Sequence, residues 1–253
     1  MFAVERQKRI LELLKEDGAV WVSRLAEELS VTEETVRRDL EKLEKNEMLL
    51  RTHGGAIPIA DNNYELSLEK RKNLNVDIKT KLAKEAATHI FAGDTVFLDA
   101  STTTFYIAKE LKNKNNITVV TNSLRVINEL AGIPEIKVIV VGGMTSTNQS
   151  IVGNIAENDI KNNYFANKVF FSSRGVNCSG ILDSNEPECF IKLSMMKNST
   201  EKYYLCDKSK VNKIGFFKLS NFEDVDYIIT EKDAFDKQLT SSLGDASVEV
   251  IEV

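Results

Sequence analysis

Between residues 22 and 43 the chain reads VSRLAEELSVTEETVRRDLEKL, and apolar side chains recur there at helical spacing in two separate runs. Leu25, Ala26 and Leu29 mark a first short amphipathic helix, and Val36, Leu40 and Leu43 mark a second. Ser30, Val31 and Thr32 fall between them. The Thr32 hydroxyl is placed to cap the second helix, and Glu33 and Glu34 fill the first turn, where unpaired backbone N–H groups favour negative charge. The pattern predicts two helices joined by a tight turn. With the apolar positions turned inward, the start of the second helix presents Thr32, Thr35, Arg37 and Arg38, which suits a recognition helix. Arginine reads guanine or clamps phosphate, and threonine bonds a phosphate oxygen or touches a thymine methyl. An ordinary helical hairpin with solvated arginines also fits these residues.

The flanks extend the pattern. Ile10, Leu13 and Leu14 fall on one face of an earlier helix, followed by Gly18 and a β-like run over residues 20–22. Residues 48–56 read as a strand entering a glycine turn, the expected wing of a winged helix. Residues 57–78 lose apolar periodicity and gain Asn, Lys and Glu, with Pro58 near their start, and read as a linker that becomes helical. The expected boundaries are a DNA-binding domain over 1–57, a linker over 58–78 and a larger domain over 79–253.

From Lys79 the chain alternates. A helix beginning at residue 79 leads to strands over 95–98, 117–121 and 137–141, with helices over 103–111 and 123–130 between them. Further strands are expected over 168–171, 203–206 and 227–229, and a helix over 188–197. Such alternation implies a mainly parallel sheet covered on both faces, in which ligands bind beyond the carboxyl ends of the strands. After the first strand comes Asp99-Ala100-Ser101-Thr102-Thr103-Thr104, a hydroxyl-rich turn into a helix whose positive end suits phosphate. After the second comes Thr121-Asn122-Ser123, and after the third Gly142-Gly143, where the backbone is open to close approach. Each loop taken singly is explained by N-capping; together they favour an anion site. Two later segments carry cations. Glu188 and Lys192 stand at i and i+4, which a surface salt bridge also explains, and Lys208 and Lys210 follow a strand within Asp207-Lys208-Ser209-Lys210.

Composition narrows the picture. The chain has 253 residues, 42% of them hydrophobic, enough for a small and a larger domain. No apolar run approaches the roughly 20 residues that span a bilayer, and the start MFAVERQKRI is too charged for a secretory signal, so a soluble cytoplasmic protein without a membrane partner is expected. Cys178, Cys189 and Cys206 are odd in number and far apart, which fits reduced thiols with no metal role. The net charge is −5, and residues 1–58 hold ten Lys or Arg against twelve Asp or Glu, so the DNA-binding module is not basic overall. The expectation is local segregation: Arg37, Arg38, Lys42 and Arg51 near the groove, with Glu27, Glu28, Glu44 and Glu47 elsewhere, and a shallow dependence of binding on salt.

TVRRDL followed by LLRTHGGA resembles the DNA-binding signature of the DeoR family of bacterial transcriptional regulators. GDTVFLDASTTT, VVTNS, VVGG, ECFIK and CDKSK resemble that family's effector domain in order and approximate spacing, so the resemblance spans nearly the whole chain. It implies a winged helix-turn-helix that binds operator DNA through Thr32, Thr35, Arg37, Arg38, Lys42, Arg51, His53, Gly54 and Gly55. It further implies a larger three-layer α/β domain, similar in fold to ribose-5-phosphate isomerase, that senses a phosphorylated sugar. On the resemblance, Ser101 to Thr104 hold phosphate beside Asp99, and Thr121, Asn122, Ser123, Gly142 and Gly143 shape the sugar pocket. Glu188, Lys192, Asp207, Lys208 and Lys210 complete it. A repressor of a carbohydrate-metabolism operon is expected, acting as a homo-oligomer (dimer or tetramer), with no cofactor and no enzymatic activity.

One position departs from the family: Ser101 stands where a glycine is usual, adding a hydroxyl and narrowing the backbone choices. Glu186 is close enough to Glu188 to replace it as the pocket residue. The alternative reading is a sugar-phosphate isomerase with a helical extension, using Glu188 as base and Lys192 to stabilise the enediolate. It leaves the DNA-binding signature unexplained and has only two histidines to draw on. A protein-binding scaffold gives Arg37 and Arg38 no role.

Overall fold

The apolar stripes of the first sixty residues meet in one core. Ile10, Leu13 and Leu14 come from α1 (Ala3–Asp17), Leu25 and Leu29 from α2 (Val22–Glu28) and its cap, and Val36, Leu40 and Leu43 from α3 (Glu33–Lys45). Val20 of β1 (Val20–Trp21) completes that core together with Leu49 and Ala56. The computed structural model describes residues 3–17, 19–46, 48–52, 54–57 and 67–253, and the chain divides into the units Met1–Leu66 and Ser67–Val253. Thr32 Oγ1 accepts from Thr35 N at 3.3 Å, the expected cap of α3.

The wing is β2 (Leu50–Thr52) paired antiparallel with β3 (Gly55–Ile57), and β1 pairs with the other edge of β3. The strand expected from Met48 starts two residues later because Met48 N donates to Leu43 O at 2.9 Å and is still wrapped onto the end of α3. Across this unit lies a buried ion pair. Arg6 Nε on α1 meets Asp39 Oδ2 on α3 at 2.5 Å, and Gln7 Nε2 donates to the other carboxylate oxygen at 2.9 Å.

The second unit begins with α4 (Leu68–Asn73) and α5 (Val76–Thr88), then β4 (Thr95–Leu98), α6 (Thr104–Leu111), β5 (Ile117–Thr121), α7 (Leu124–Leu130) and β6 (Ile136–Val140). A hairpin, β7 (Met144–Thr145) and β8 (Ile151–Val152), precedes α8 (Asn154–Asn163) and β9 (Ala166–Phe171). Next come β10 (Gly175–Asn177), β11 (Gly180–Asp183), α9 (Glu186–Lys197), β12 (Ser199–Cys206) and β13 (Phe217–Ser220). The chain closes with β14 (Tyr227–Thr230), α10 (Lys237–Asp245) and β15 (Glu249–Glu252).

Seven strands form one parallel sheet in the order β15-β14-β12-β9-β4-β5-β6. Both faces of the central strands are buried, as a parallel sheet requires, while the edge strands β6 and β15 are partly exposed. Val96 and Leu98 pack with apolar residues of α5, α6 and α7, while Phe97, Phe171 and Tyr204 pack with α8, α9 and α10. The strand order reverses between β4 and β9, so the loops leaving their carboxyl ends diverge and open a crevice.

Residues 58–66 of the expected linker lie outside the described residues, as does His53. The rest of that span is the start of the second unit: Ser67 Oγ caps α4 through Lys70 N at 3.5 Å, and Lys79 Nζ donates to Arg71 O at 2.5 Å and Leu74 O at 2.7 Å. Its anchoring is polar, which is why it carries no apolar period. The periodicity also missed β7 and β8, two residues each, and the antiparallel sheet β10-β11-β13, whose strands run only three or four. Among the described residues no helix is long and apolar enough to cross a membrane.

Asp39→Ala leaves Arg6 buried without its carboxylate, and should destabilise the first unit by about 3–5 kcal/mol. Urea unfolding followed through Trp21 fluorescence checks this; a loss below about 1 kcal/mol removes the pair from the supports of this unit.

Candidate DNA interface and effector site

On α3, Thr32, Arg37, Arg38 and Lys42 are exposed and Thr35 half-buried, opposite the buried stripe. Neither arginine is idle. Arg37 Nη2 meets Glu33 Oε2 at 2.8 Å and Arg38 Nε meets Glu34 Oε1 at 3.2 Å, both one turn back along the helix. Exposed pairs of this spacing contribute only about 0.3–0.5 kcal/mol, so either arginine can be drawn to a competing anion at little cost. Thr32 Oγ1 and Thr35 Oγ1 share a hydrogen bond of 2.9 Å.

In the wing, Arg51 and Gly54 are exposed, whereas Gly55 is buried in the β1–β3 pairing. A Cβ at Gly55 would overlap the Val20 carbonyl, so this glycine serves strand packing rather than an outward face. Glu44 Oε1 accepts from the backbone N–H of Arg51 at 3.2 Å, because the wing folds back beside the last turn of α3.

In the second unit, the crevice at the reversal of strand order is organised by Asp99, which is fully buried at the end of β4. Its Oδ1 accepts from Ser101 N at 3.0 Å and Thr104 Oγ1 at 2.6 Å; its Oδ2 accepts from Ser172 N at 3.2 Å, at the end of β9. Lys192 Nζ completes the cluster, 3.5 Å from Asp99 Oδ2 and 2.5 Å from Asp183 Oδ2 at the end of β11. Burial works against the ammonium, but Asp183, Asp99 and Glu188 outweigh it and raise its pKa, so Lys192 stays charged. The surface salt bridge that also fitted Glu188 and Lys192 does not form: Lys192 is buried and pairs with the two aspartates instead. Glu188 is buried, and its Oε1 instead accepts from Ser150 Oγ at 2.7 Å.

The turn after β4 is hydroxyl-rich as the sequence indicates, but much of its chemistry is spent internally. Ser101 Oγ accepts from Thr104 N at 3.1 Å, so the extra hydroxyl at this position caps α6. Thr102 and Thr103 are buried, and Thr103 Oγ1 lies 3.5 Å from Lys210 Nζ, which also donates to Ser172 Oγ at 2.5 Å. Lys210 thus reaches the amino end of α6, whereas Lys208 is exposed, with its backbone N–H on Glu231. Asp207 is buried and binds Ser209 N and Asn75 Nδ2.

Thr121 is closed off by donating to Leu98 O at 2.7 Å, and Ser123 Oγ caps α7 through Val126 N. Asn122 differs. Its Nδ2 bonds Ile151 O at 3.0 Å while its buried Oδ1 has no partner. Of the glycines, Gly143 serves packing: a Cβ there, at φ +149°, would lie 2.8 Å from Ile151 Cγ2 and Val152 O, whereas Gly142 is exposed, with its N donating to Asp159 Oδ2 and room for a Cβ.

Three cations outside the expected set, Lys79, Arg71 and Arg125, carry further charge, and Ser172 adds a hydroxyl. Lys79 is buried, and its pKa is lowered to about 8, first by burial and then by Lys210, Arg71 and Arg125, with Asp207 opposing. Burial also lowers the Arg125 pKa; its Nη1 is buried without a partner and its guanidinium stacks 3.9 Å from the Phe105 ring centroid. Ser172 follows an expected strand, so the rule that read Asp99 would have found it. Lys79, Arg71 and Arg125 sit on helices, where lone cations read as solvated. A group of cations around one partnerless guanidinium donor, beside the hydroxyls of the β4–α6 turn, is equipped to hold an oxyanion. Among the described residues no three His, Cys, Asp or Glu could hold a metal ion.

A winged helix-turn-helix joined to a parallel α/β unit with a polar, cation-lined crevice defines a DNA-binding protein that carries its own ligand sensor. Residues 6–61 match the DeoR-like helix-turn-helix domain and residues 74–232 match the DeoR C-terminal sensor domain. The chain is 38% identical to the uncharacterized HTH-type transcriptional regulator YulB of Bacillus subtilis, over 100% of this chain and 98% of that protein. It is 33% identical to the lactose phosphotransferase system repressor of Streptococcus mutans, over 92% of this chain and 94% of that one. The chain belongs to the DeoR family of helix-turn-helix transcriptional regulators. Its function is DNA-binding control of transcription, and its relatives give the isomerase alternative no support. Among solved structures, ribose 5-phosphate isomerase A of Methanocaldococcus jannaschii is similar at a TM-score of 0.41 and 19% identity, covering 55% of this chain and 56% of that one.

An oxyanion beside Lys79 offsets its cationic neighbours and raises its pKa, so binding takes up a proton near pH 8. Affinity for inorganic phosphate, measured by calorimetry, should fall as pH rises from 8 towards 10, where phosphate's own charge is constant. The slope is at most about tenfold per pH unit. In Lys79→Met the profile should flatten; an equal slope there excludes Lys79.

Proposed function

We propose that this soluble, cytoplasmic protein represses a carbohydrate-metabolism operon, binding operator DNA as a dimer or larger homo-oligomer whose grip is modulated by a phosphorylated sugar. The DNA reading is supported by Thr32, Thr35, Arg38 and Lys42 on the outward side of α3, with Arg37 and Arg51 near them. Relationship to the lactose phosphotransferase system repressor supports the sugar and repression readings.

The observation that carries the effector reading is Lys210 meeting Ser172 and Thr103 at the amino end of α6, next to Lys79 and Arg125. Phosphate binds there, and the sugar extends towards the partnerless Asn122 Oδ1 and the Glu188 and Asp183 carboxylates, which accept from hydroxyls. Lys192, held between two aspartates, fixes those carboxylates rather than meeting the ligand. For regulation, the sugar phosphate must favour one arrangement of the oligomer by roughly 1–3 kcal/mol, one in which half-site spacing is no longer matched.

Arg38→Ala should weaken binding to the DNA upstream of the protein's own gene by about tenfold or more with the fold intact, read by fluorescence anisotropy at fixed salt. Unchanged affinity removes Arg38 from the contacts. In the same assay one of a panel of sugar phosphates should release wild-type protein, and Lys210→Ala should lose that response while still binding DNA. Consumption of a sugar phosphate without DNA binding would overturn the reading.

A further inference from the structure

The first element of the second unit, α4, is where the chain coming from the winged helix enters the sensor. It has six residues and buries one apolar side chain, Leu68, so apolar packing alone does not hold it. Its polar ties do. Lys79 Nζ caps its carboxyl end through the carbonyls of Arg71 and Leu74. Tyr106 Oη on α6 donates to Lys72 O at 3.4 Å, and Arg71 Nη2 donates to Asn148 Oδ1 at 3.0 Å. At the corner between α4 and α5, Asn75 stands at φ 53° and its Nδ2 bonds Asp207 Oδ1 at 3.1 Å and Ser209 Oγ at 3.0 Å.

All these ties end on segments that build the candidate effector site. Asn148 is in the β7–β8 loop, two residues from the Ser150 that bonds Glu188; Asp207 and Ser209 are in the loop that carries Lys210; Tyr106 is in the helix after the hydroxyl-rich turn. A second, independent observation points to a ligand at the same place. Arg125 Nη1 is buried with no partner, and Arg125 and Lys210 both bear electrostatically on Lys79. An oxyanion among them gives Arg125 an acceptor and holds Lys79 in its charged form. A charged ammonium donates more strongly to helix-terminal carbonyls than a neutral amine does, and it complements the negative end of the helix.

We propose that α4 is a strap across the effector site, held by Lys79 as a positioning residue, and that an oxyanion bound among Lys79, Arg125 and Lys210 tightens it and so passes occupancy to the chain leading into the winged helix. The proposal rests on the anion-site reading above and names the route by which that site regulates. The bond from Arg71 to Asn148 is a tie of the strap and not a ligand contact, so the strap can be loosened without touching the anion.

The test is amide hydrogen exchange on the full chain with and without saturating inorganic phosphate, with binding followed separately by calorimetry. In wild type near pH 9, above the Lys79 pKa of about 8, phosphate should slow exchange at residues 71–74 by about tenfold, a change confined to α4 and its ties. Asn148→Ala should still bind phosphate, weakened by no more than about tenfold because the coupling is reciprocal, and show little of that slowing, and Lys79→Met should show none. Phosphate that binds but leaves residues 71–74 unchanged, or slows them equally in both variants, overturns the strap while the anion site stands. No heat of binding in wild type overturns the anion site and the strap together.

Discussion

The ammonium of Lys192, buried between Asp99 and Asp183, fixes the geometry on which the sensor unit depends. Removing three charges from water is costly, and the arrangement persists because its geometry is close and each aspartate has a further donor. Asp99 uses its remaining acceptor sites to shape the β4–α6 turn through Ser101 and Thr104 and to join it to β9 through Ser172. Asp183 belongs to the small antiparallel sheet, and Lys192 to α9. One cation therefore holds together the end of β4, the end of β9, β11 and a helix from the opposite face. The same fact marks Lys192 as a frame, whereas Arg125 Nη1 is buried without a partner.

Charge is arranged differently in the two units. The winged helix keeps one ion pair inside, Arg6 with Asp39, and balances its exposed arginines with glutamates a turn away on the same helix. Such pairs exchange readily for phosphate but mute the general attraction to DNA, in keeping with a domain that carries more acid than base. In the sensor unit, by contrast, Lys79 sits near Lys210 and Arg125, and its pKa is lowered first by burial and then by these cations, with Asp207 opposing. Repulsion kept inside a folded unit is a useful mark of a site that expects an anion.

What the sequence determined by itself was local and periodic. Helical spacing located α1 to α3, the Thr32 cap and the wing, and strand-helix alternation located the central strands from β4 to β14. A parallel sheet places chemistry at strand ends, so Asp99 and the turn behind it were legible as well. Tertiary structure decided everything that depends on a partner far away in the chain. Whether Glu188 meets Lys192 or Ser150, whether Gly143 admits a ligand or a neighbouring strand, and whether Lys208 or Lys210 turns inward are questions of three-dimensional neighbours, to which a period of two or 3.6 residues is blind. Lys79, Arg71 and Arg125 escaped for the same reason. A lone cation on a helix looks solvated until the fold buries it beside others, because the desolvation that changes its chemistry is a property of the packed interior and not of the residue.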